Sequence, residues 1–378
     1  MKFQVNKDVL SEAVSFAVRI LPQKNTLQIL GGILIEADAN ALRLSVFDYD
    51  VSAQAEVVAK VETSGRILVS GRLLSEIASR LPNAPVEFNA EGTKLVVSCG
   101  SSKFTLPTMD VESYPTLPEL PPVSGTISGE AFSEAVAQVV IAASKEDVIP
   151  GLTGVLVEAS KSSISMVATD RFRVALREVA WNGTSIADGQ TALVPARTLQ
   201  EVAKTFANQA EVAISITGSD DRPMIAFKAN NRSVTTQLVK GNFPAVKALF
   251  PTENPNFAIV STSELVESTR RVSLVLDRTS ALKYTFEGSE VVLEATGNET
   301  AQASESVNVE LTGNSISVKL KPQFLIDGLS GVQGEFAKIS FTNTDNPHKP
   351  GPVLITSQGS KENSKADSYR YLLQPNLL

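Results

Sequence analysis

The chain has 378 residues, 43% of them hydrophobic and 20% charged, with a formal net charge of −7 at pH 7, the balance of a globular protein of about two to three domains. Its one cysteine, Cys99, excludes an intrachain disulfide, the opening "MKFQVNKDVL" lacks the apolar stretch of a secretory leader, and runs such as "LQILGGILI" are too short to cross a bilayer. The expectation is a cytoplasmic protein whose acidity argues, at first sight, against nucleic acid, because phosphate contacts need clustered Lys and Arg.

Taken in order, "KDVLSEAVSFAVRIL" from Lys7 sets apolar residues at i, i+3, i+4 and i+7, the stripe of a helix lying on a sheet. "LSVFDYDVSAQAEV" reads as strands around a polar turn at Asp48, "ILVSGRLLSEIASRL" as a strand entering a second helix, and "KLVVSCGSSKFTL" as alternating strand. An aromatic-proline connector, "ESYPTLPELPP", closes the series.

The series then returns. "GEAFSEAVAQVVIAA" from Gly129, "SMVATDRFRVALREV", "ALVPARTLQEVAKTF", "ISITGSDDRPMIAFKANNRSVTTQLV" and the connector "GNFPAVKALFPTENP" follow in the same sequence. A third pass brings "TSELVESTRRVSLVL" from Thr262, "VVLEATGNETAQASESV" and "VKLKPQFLIDGLSGV". Val69, Val194 and Leu320 are offset by 125 and 126 residues, and Asp48 and Asp170 by 122, so the chain reads as a triplication. Proline fixes φ and lacks the N–H of a sheet ladder, so the connectors mark exits from domains. Cuts near 121 and 253 give domains 1–121, 122–253 and 254–378, each α+β with two helices on antiparallel sheets.

The inventory for catalysis is thin. His348 sits in the proline-rich "TDNPHKPGP", Cys99 has no adjoining cation to activate it, and one of each builds no metal site of ordinary denticity. Walker and dinucleotide-binding loops are absent. The acids Asp48, Asp50, Asp220 and Asp221 fall at turn-like positions, where Asp serves local hydrogen bonding. No enzyme activity and no cofactor are expected.

The stretches "TLQILGGILI", "LTGVLVE", "ATDRFRVA", "LVKGNFPAVKALFP" and the terminal "YLLQPNLL", in this order, give the chain an end-to-end resemblance to the bacterial DNA sliding clamp family, the DNA polymerase III beta subunits. The resemblance implies a head-to-tail homodimer, a ring of six similar domains with helices lining the hole, that holds the replicative polymerase on duplex DNA by topology. Its implied partners are double-stranded DNA bound without regard to sequence, polymerase subunits, the clamp loader and clamp-binding repair proteins. A ring that must slide is served by weak phosphate attachment, which answers the charge objection. The six helical windows, 7–24, 72–80, 130–145, 197–204, 264–271 and 319–327, carry a formal +3 against −10 for the rest, the sign a DNA-encircling lumen needs. Lys24, Arg72 and Arg197 match DNA-facing positions of the family, and the internal repeat extends the set to Lys321; the alternative is that these are ordinary solvated charges at helix starts.

The resemblance also implies an apolar groove for a short client peptide. It would include Leu152, Thr169, Arg171, Phe172, Arg173 and Val174, then Pro244, Lys247 and Leu249, and it would be closed by Leu372, Leu373, Gln374, Pro375, Asn376, Leu377 and Leu378. Arg171 and Phe172 stand where other clamps often have Gly and His, and Gln374 and Asn376 where methionine is frequent, which shifts the expected peptide preference. The competing reading packs Phe172 and Val174 into the core of the second domain. Phe104, Leu274 and Val275 are the apolar residues expected at the dimer surface. Two other functions compete with the clamp: a multidomain peptide-binding scaffold without DNA encirclement, and an enzyme gathering the acids at 48, 50 and 170 around a metal.

Overall fold

A computed structural model describes residues 1–21, 27–186, 189–217, 223–251, 254–277, 279–297, 301–342, 350–359 and 368–376. Among these, six α-helices come in the expected pairs: α1 (Lys7–Ile20) and α2 (Gly71–Arg80), α3 (Gly129–Val140) and α4 (Ala196–Phe206), α5 (Thr262–Val272) and α6 (Pro322–Ser330). The starts of α2, α4 and α6 are spaced by 125 and 126 residues, so the period in the sequence is a period in the fold. Local chemistry sets the ends. The Asn6 side chain accepts hydrogen bonds from the Asp8 and Val9 N–H groups to open α1, and Ser70 and Ser261 cap α2 and α5 in the same way. Helix α1 stops at Ile20 because Leu21 precedes a proline and is extended. Its apolar stripe, Leu10, Ala13, Val14, Ala17 and Ile20, is buried.

The chain divides into two compact units, one of residues 1–133, 160–162 and 181–238, the other of residues 134–159, 163–180 and 239–378. The middle repeat contributes to both, and strand pairing explains why. In the first unit, its last strand, Arg232–Gln237, pairs antiparallel with Val51–Val58 of the first repeat, Arg232 opposite Ala55 and Thr236 opposite Val51. In the second unit, its Arg173–Ala180 strand pairs antiparallel with Arg370–Leu373 of the third, Arg173 opposite Leu373 and Leu176 opposite Arg370. Hairpins such as Lys94–Cys99 with Ser102–Met109 and Glu290–Thr296 with Gln302–Thr312, together with longer-range antiparallel pairings, build the rest.

Within the first unit α1 packs on α2 and α4, and within the second α5 packs on α6. Burial of Leu10, Phe88, Phe206 and Phe227 in the first unit, and of Tyr284, Phe286 and Phe341 in the second, supplies the apolar cores, at about 1.5–3 kcal/mol for each large side chain removed from water. Cys99 is buried with its Sγ 3.3 Å from the Pro82 carbonyl oxygen, a structural position as its surroundings in the sequence suggest. No described helix is long and apolar enough to cross a membrane.

Candidate functional site

The stretch "TDRFRV" forms the tight turn between the Ser163–Thr169 and Arg173–Ala180 strands. Asp170 holds it: its Oδ1 accepts from the Phe172 and Arg173 N–H groups at 3.1 and 3.2 Å. Thr169 Oγ1 accepts from the Arg171 N–H at 3.2 Å and donates to the Arg173 carbonyl at 2.7 Å. The geometry forces Arg171 to φ +80°, a left-handed conformation that costs a residue with a Cβ on the order of 1 kcal/mol. The turn pushes Phe172 outward, 48% exposed, and draws Arg173 inward, 6% exposed.

Arg173 sits at the centre of a polar network. Its Nε donates to Asp170 Oδ2 at 2.9 Å, and its Nη1 to Asp327 Oδ2 at 2.6 Å and to the Tyr371 hydroxyl at 3.2 Å. Its guanidinium carbon lies 4.2 Å from the Phe324 ring centroid. Burial works against the charge, but Tyr371, Asp327 and Asp170 outweigh it and raise the pKa above the ordinary guanidinium value. The Tyr371 hydroxyl is held neutral, its pKa pushed up by burial against the opposing pull of Arg173, and it donates to the Phe324 carbonyl at 2.8 Å. Gln323 Nε2 donates to Asp327 Oδ1 at 2.7 Å.

Above this network lies a cavity of about 360 Å³, within the size range of ligand sites. The turn residues Asp170 to Arg173 form one wall, Lys321, Gln323, Phe324 and Asp327 at the start of α6 another, and Leu152 with the 143–149 segment the third. Val148 is 80% exposed at its mouth. The Phe172 and Phe324 rings stand 6.3 Å apart, and the Lys321 ammonium lies 5.0 and 5.2 Å from their centroids.

Of the residues expected in a groove, Leu152, Arg171, Phe172 and Arg173 line this cavity, and Thr169 is buried beneath it in the turn. Val174 and Leu372 belong to a buried cluster with Val167, Val246 and Leu354, so the core reading describes Val174 but not the exposed Phe172. Pro244, Lys247 and Leu249 are exposed, and the Lys247 ammonium pairs with Glu158. Leu373 and Pro375 are buried; the Gln374 N–H donates to the Phe172 carbonyl at 2.9 Å and the Asn376 N–H to the Lys319 carbonyl at 2.8 Å. Leu377 and Leu378 lie outside the described residues, as do Lys24, His348, Asp220 and Asp221.

Arg72 and Arg197 are both exposed and both the second residue of their helices, α2 and α4. The matching residue of α6 is Gln323, whereas Lys321 precedes the helix and stands in the cavity over Phe172. Applying the 126-residue offset to Arg197 finds Gln323 from sequence alone. Sequence reasoning also missed Phe324, Asp327 and Tyr371; the four-residue spacing of Gln323 and Asp327 at a helix start was the available signal. Phe104 and Leu274 are 38% and 84% exposed, and Val275 is half-buried. Among the described residues there is no cluster of three potential metal ligands, and Asp48 is engaged in capping a turn.

Profiles of the DNA polymerase III beta subunit match the chain three times, the N-terminal domain at 1–118, the central domain at 126–245 and the C-terminal domain at 247–360. The beta sliding clamp of Streptomyces coelicolor is 42% identical over 99% of both chains. The chain belongs to the DNA polymerase III beta subunit family, the beta sliding clamps. The beta sliding clamp of Bacillus subtilis is 27% identical over 92% of this chain and 94% of its own. The crystal structure of the B. subtilis DNA polymerase sliding clamp superposes with a TM-score of 0.89 at 25% identity, covering 100% of this chain and 99% of the other. A sliding clamp is a processivity factor for DNA replication and is not an enzyme.

Proposed function

We propose that this clamp closes as a head-to-tail homodimer around duplex DNA in the cytoplasm and recruits polymerase subunits, the clamp loader and repair proteins through the groove at Phe172. The observation that carries the reading is the pattern of used and unused strand edges. Val51–Val58 of the first repeat and Arg173–Ala180 of the second occupy equivalent places, and each is paired by a last-hairpin strand of the next repeat. By the same equivalence the third repeat offers Gln302–Thr312 and the first offers Ser102–Met109. Residues 302–308 pair on one side only, with Glu290–Thr296, and residues 102–107 only with Lys94–Cys99, among the described residues. An unpaired edge invites another strand, and with a second copy each of these edges meets its complement. Phe104 lies on one edge and Leu274 and Val275 beside the other, which makes them the apolar residues of the proposed interface.

Six repeats joined this way would carry helices inward, with Arg72, Arg197 and Lys24 toward the phosphates. We place the domains at 1–121, 122–253 and 254–378. The groove would take a client's apolar anchors against Leu152 and Phe172, with Val174 and Leu372 beneath, Pro244, Lys247 and Leu249 at its rim, and the terminal residues from Leu373 to Leu378 closing it. Sedimentation equilibrium tests the dimer: a mass of two chains is expected, and a single-chain mass at micromolar concentration overturns it. Anisotropy of a labelled client-derived peptide tests the groove, since Phe172→Ala should weaken binding by about tenfold, the effect of losing one aromatic anchor.

A further inference from the structure

We propose that Arg271 and Glu305 make the junction between two chains separable, because they neutralise each other inside one chain where the two internal junctions reach across to the next repeat. The inference rests on the head-to-tail dimer proposed above and names what sets its junction apart. Strand register makes Ala55, Arg177 and Glu305 equivalent: they lie opposite Leu44, Met166 and Leu293, which in turn lie opposite Ile35, Val157 and Tyr284. The first helix of each repeat has glutamate as its sixth residue, Glu12, Glu134 and Glu267, and Phe16, Gln138 or Arg271 as its tenth.

These tenth residues behave differently. In the first unit the incoming strand brings Arg232, opposite Ala55, whose guanidinium lies 5.4 Å from the Phe16 ring centroid and whose Nη2 is 2.7 Å from Glu12 Oε1. In the second unit Gln138 Nε2 donates to the Gly331 carbonyl of the next repeat at 2.7 Å. Arg271 instead turns back on its own repeat. Its Nη2 and Nε donate to the two Glu305 oxygens at 2.5 and 3.1 Å, and Ser268 Oγ donates to Glu305 Oε1 at 2.7 Å. Glu267 is answered from the same helix, by Arg270 Nη1 at 2.6 Å. A forked arginine–carboxylate pair with a third donor is complete as it stands.

The incoming strand gives a second, independent sign. Ser102 matches Arg232, since each is the first residue after its hairpin turn, opposite Cys99 and Ala229. Paired as in the first unit, Ser102 meets Glu305 and Phe104 meets Ala303, just as Arg232 meets Ala55 and Val234 meets Ala53. The place of the arginine is thus taken by a hydroxyl, and Lys103 falls on the other face of the sheet because side chains alternate. The Arg271 and Glu305 side chains are 56% and 30% exposed, against 10% for Arg177 at the equivalent place in a junction already closed. Closing the ring therefore buries the pair. A buried charge that loses its partner is costly, so a pair held within one chain lets the ring part without stranding either charge.

The test measures the dimer dissociation constant of the full-length protein by sedimentation over a dilution series. Glu305→Gln and Arg271→Met each leave one charge unpaired in a closed junction and should raise it about a hundredfold, about tenfold at each of two junctions. The reversed pair, Arg271→Glu with Glu305→Arg, should dimerise with itself and with labelled unmodified chain to within about threefold of the unmodified constant. Arg271→Met with Glu305→Met, which removes both charges together, should recover the loss of the single variants, and urea unfolding reports whether each chain is folded. Unchanged dimerisation of the single variants overturns the proposal. So does a folded reversed chain that fails to pair with the unmodified one, because Glu305 would then be answered by a cation of the partner. A single-chain mass for the unmodified protein overturns the dimer reading itself.

Discussion

Asp48 and Asp170, 122 positions apart, cap the same turn in successive repeats: each Oδ1 accepts N–H groups two and three residues ahead, from Asp50 and Val51 at 3.1 and 2.8 Å and from Phe172 and Arg173 at 3.1 and 3.2 Å. The residue between is left-handed in both, Tyr49 at φ +77° and Arg171 at φ +80°. Even the next contact repeats. The Gln237 N–H donates to the Asp50 carbonyl at 2.8 Å, and the Gln374 N–H to the Phe172 carbonyl at 2.9 Å. One piece of local chemistry was thus kept for its geometry, and only the second copy feeds an arginine into a cavity.

This repetition separates stability from binding. Asp48→Ala and Asp170→Ala should each lower stability by about 1 kcal/mol, the worth of a side-chain cap. Asp170→Ala should also weaken client-peptide binding, because Arg173 loses one of its carboxylates, while Asp48→Ala leaves binding unchanged. Urea unfolding followed by peptide anisotropy on both variants checks the pair.

Arg173→Ala should cost about 3 kcal/mol, since removing one member of a buried ion network leaves the others charged and unpaired. Arg173→Met with Asp170→Asn and Asp327→Asn should recover most of it. Chemical denaturation of the single and triple variants measures the difference, and a single-variant loss below about 1 kcal/mol would show that the network is not coupled.

Tyr114 predicts an alkaline dependence. Burial pushes its hydroxyl up to about 12, with partial opposition from the Phe47 N–H that it accepts at 2.7 Å. A tyrosine whose folded pKa lies above the unfolded value of 10.0 contributes stability that is complete below that pH and is lost as pH rises through about 12. Tyr114→Phe should remove this contribution to the pH dependence. Melting temperatures of both proteins between pH 9 and 12 should converge as the pH climbs.

Leu274→Asp should convert the dimer to single chains, because it sets a charge on the apolar patch proposed to be covered by the partner's Phe104 edge. Phe104→Asp should do the same. Thermal melts of the separated chains report whether each variant remains folded, and a folded Leu274→Asp protein with an unchanged two-chain mass would move the interface elsewhere.

Much of the fold was legible because triplication repeats its signals: the six amphipathic stripes and the strand-to-helix entries recur, and α2, α4 and α6 keep the period to within one residue. The site was legible in part. "ATDRFRV" gave the turn, yet that Arg173 turns inward depends on Asp327, 154 positions away, and on Tyr371, 198 away, pairings that no local pattern encodes. Lys321 illustrates the limit of counting charges at helix starts. It precedes α6 by one residue, two positions before the one that matches Arg72 and Arg197, and lies over the face of Phe172. The division of the middle repeat between two units was hidden for the same reason, since strand partners from neighbouring repeats decide it.

The most direct test of the account is retention of the labelled protein on a nicked circular DNA after loading by a clamp loader, followed by cutting the circle once. Topological encirclement predicts that the protein stays on closed circles through gel filtration in moderate salt and is lost when the circle becomes linear. Equal loss from circular and linear DNA would contradict the account and leave a peptide-binding scaffold in its place.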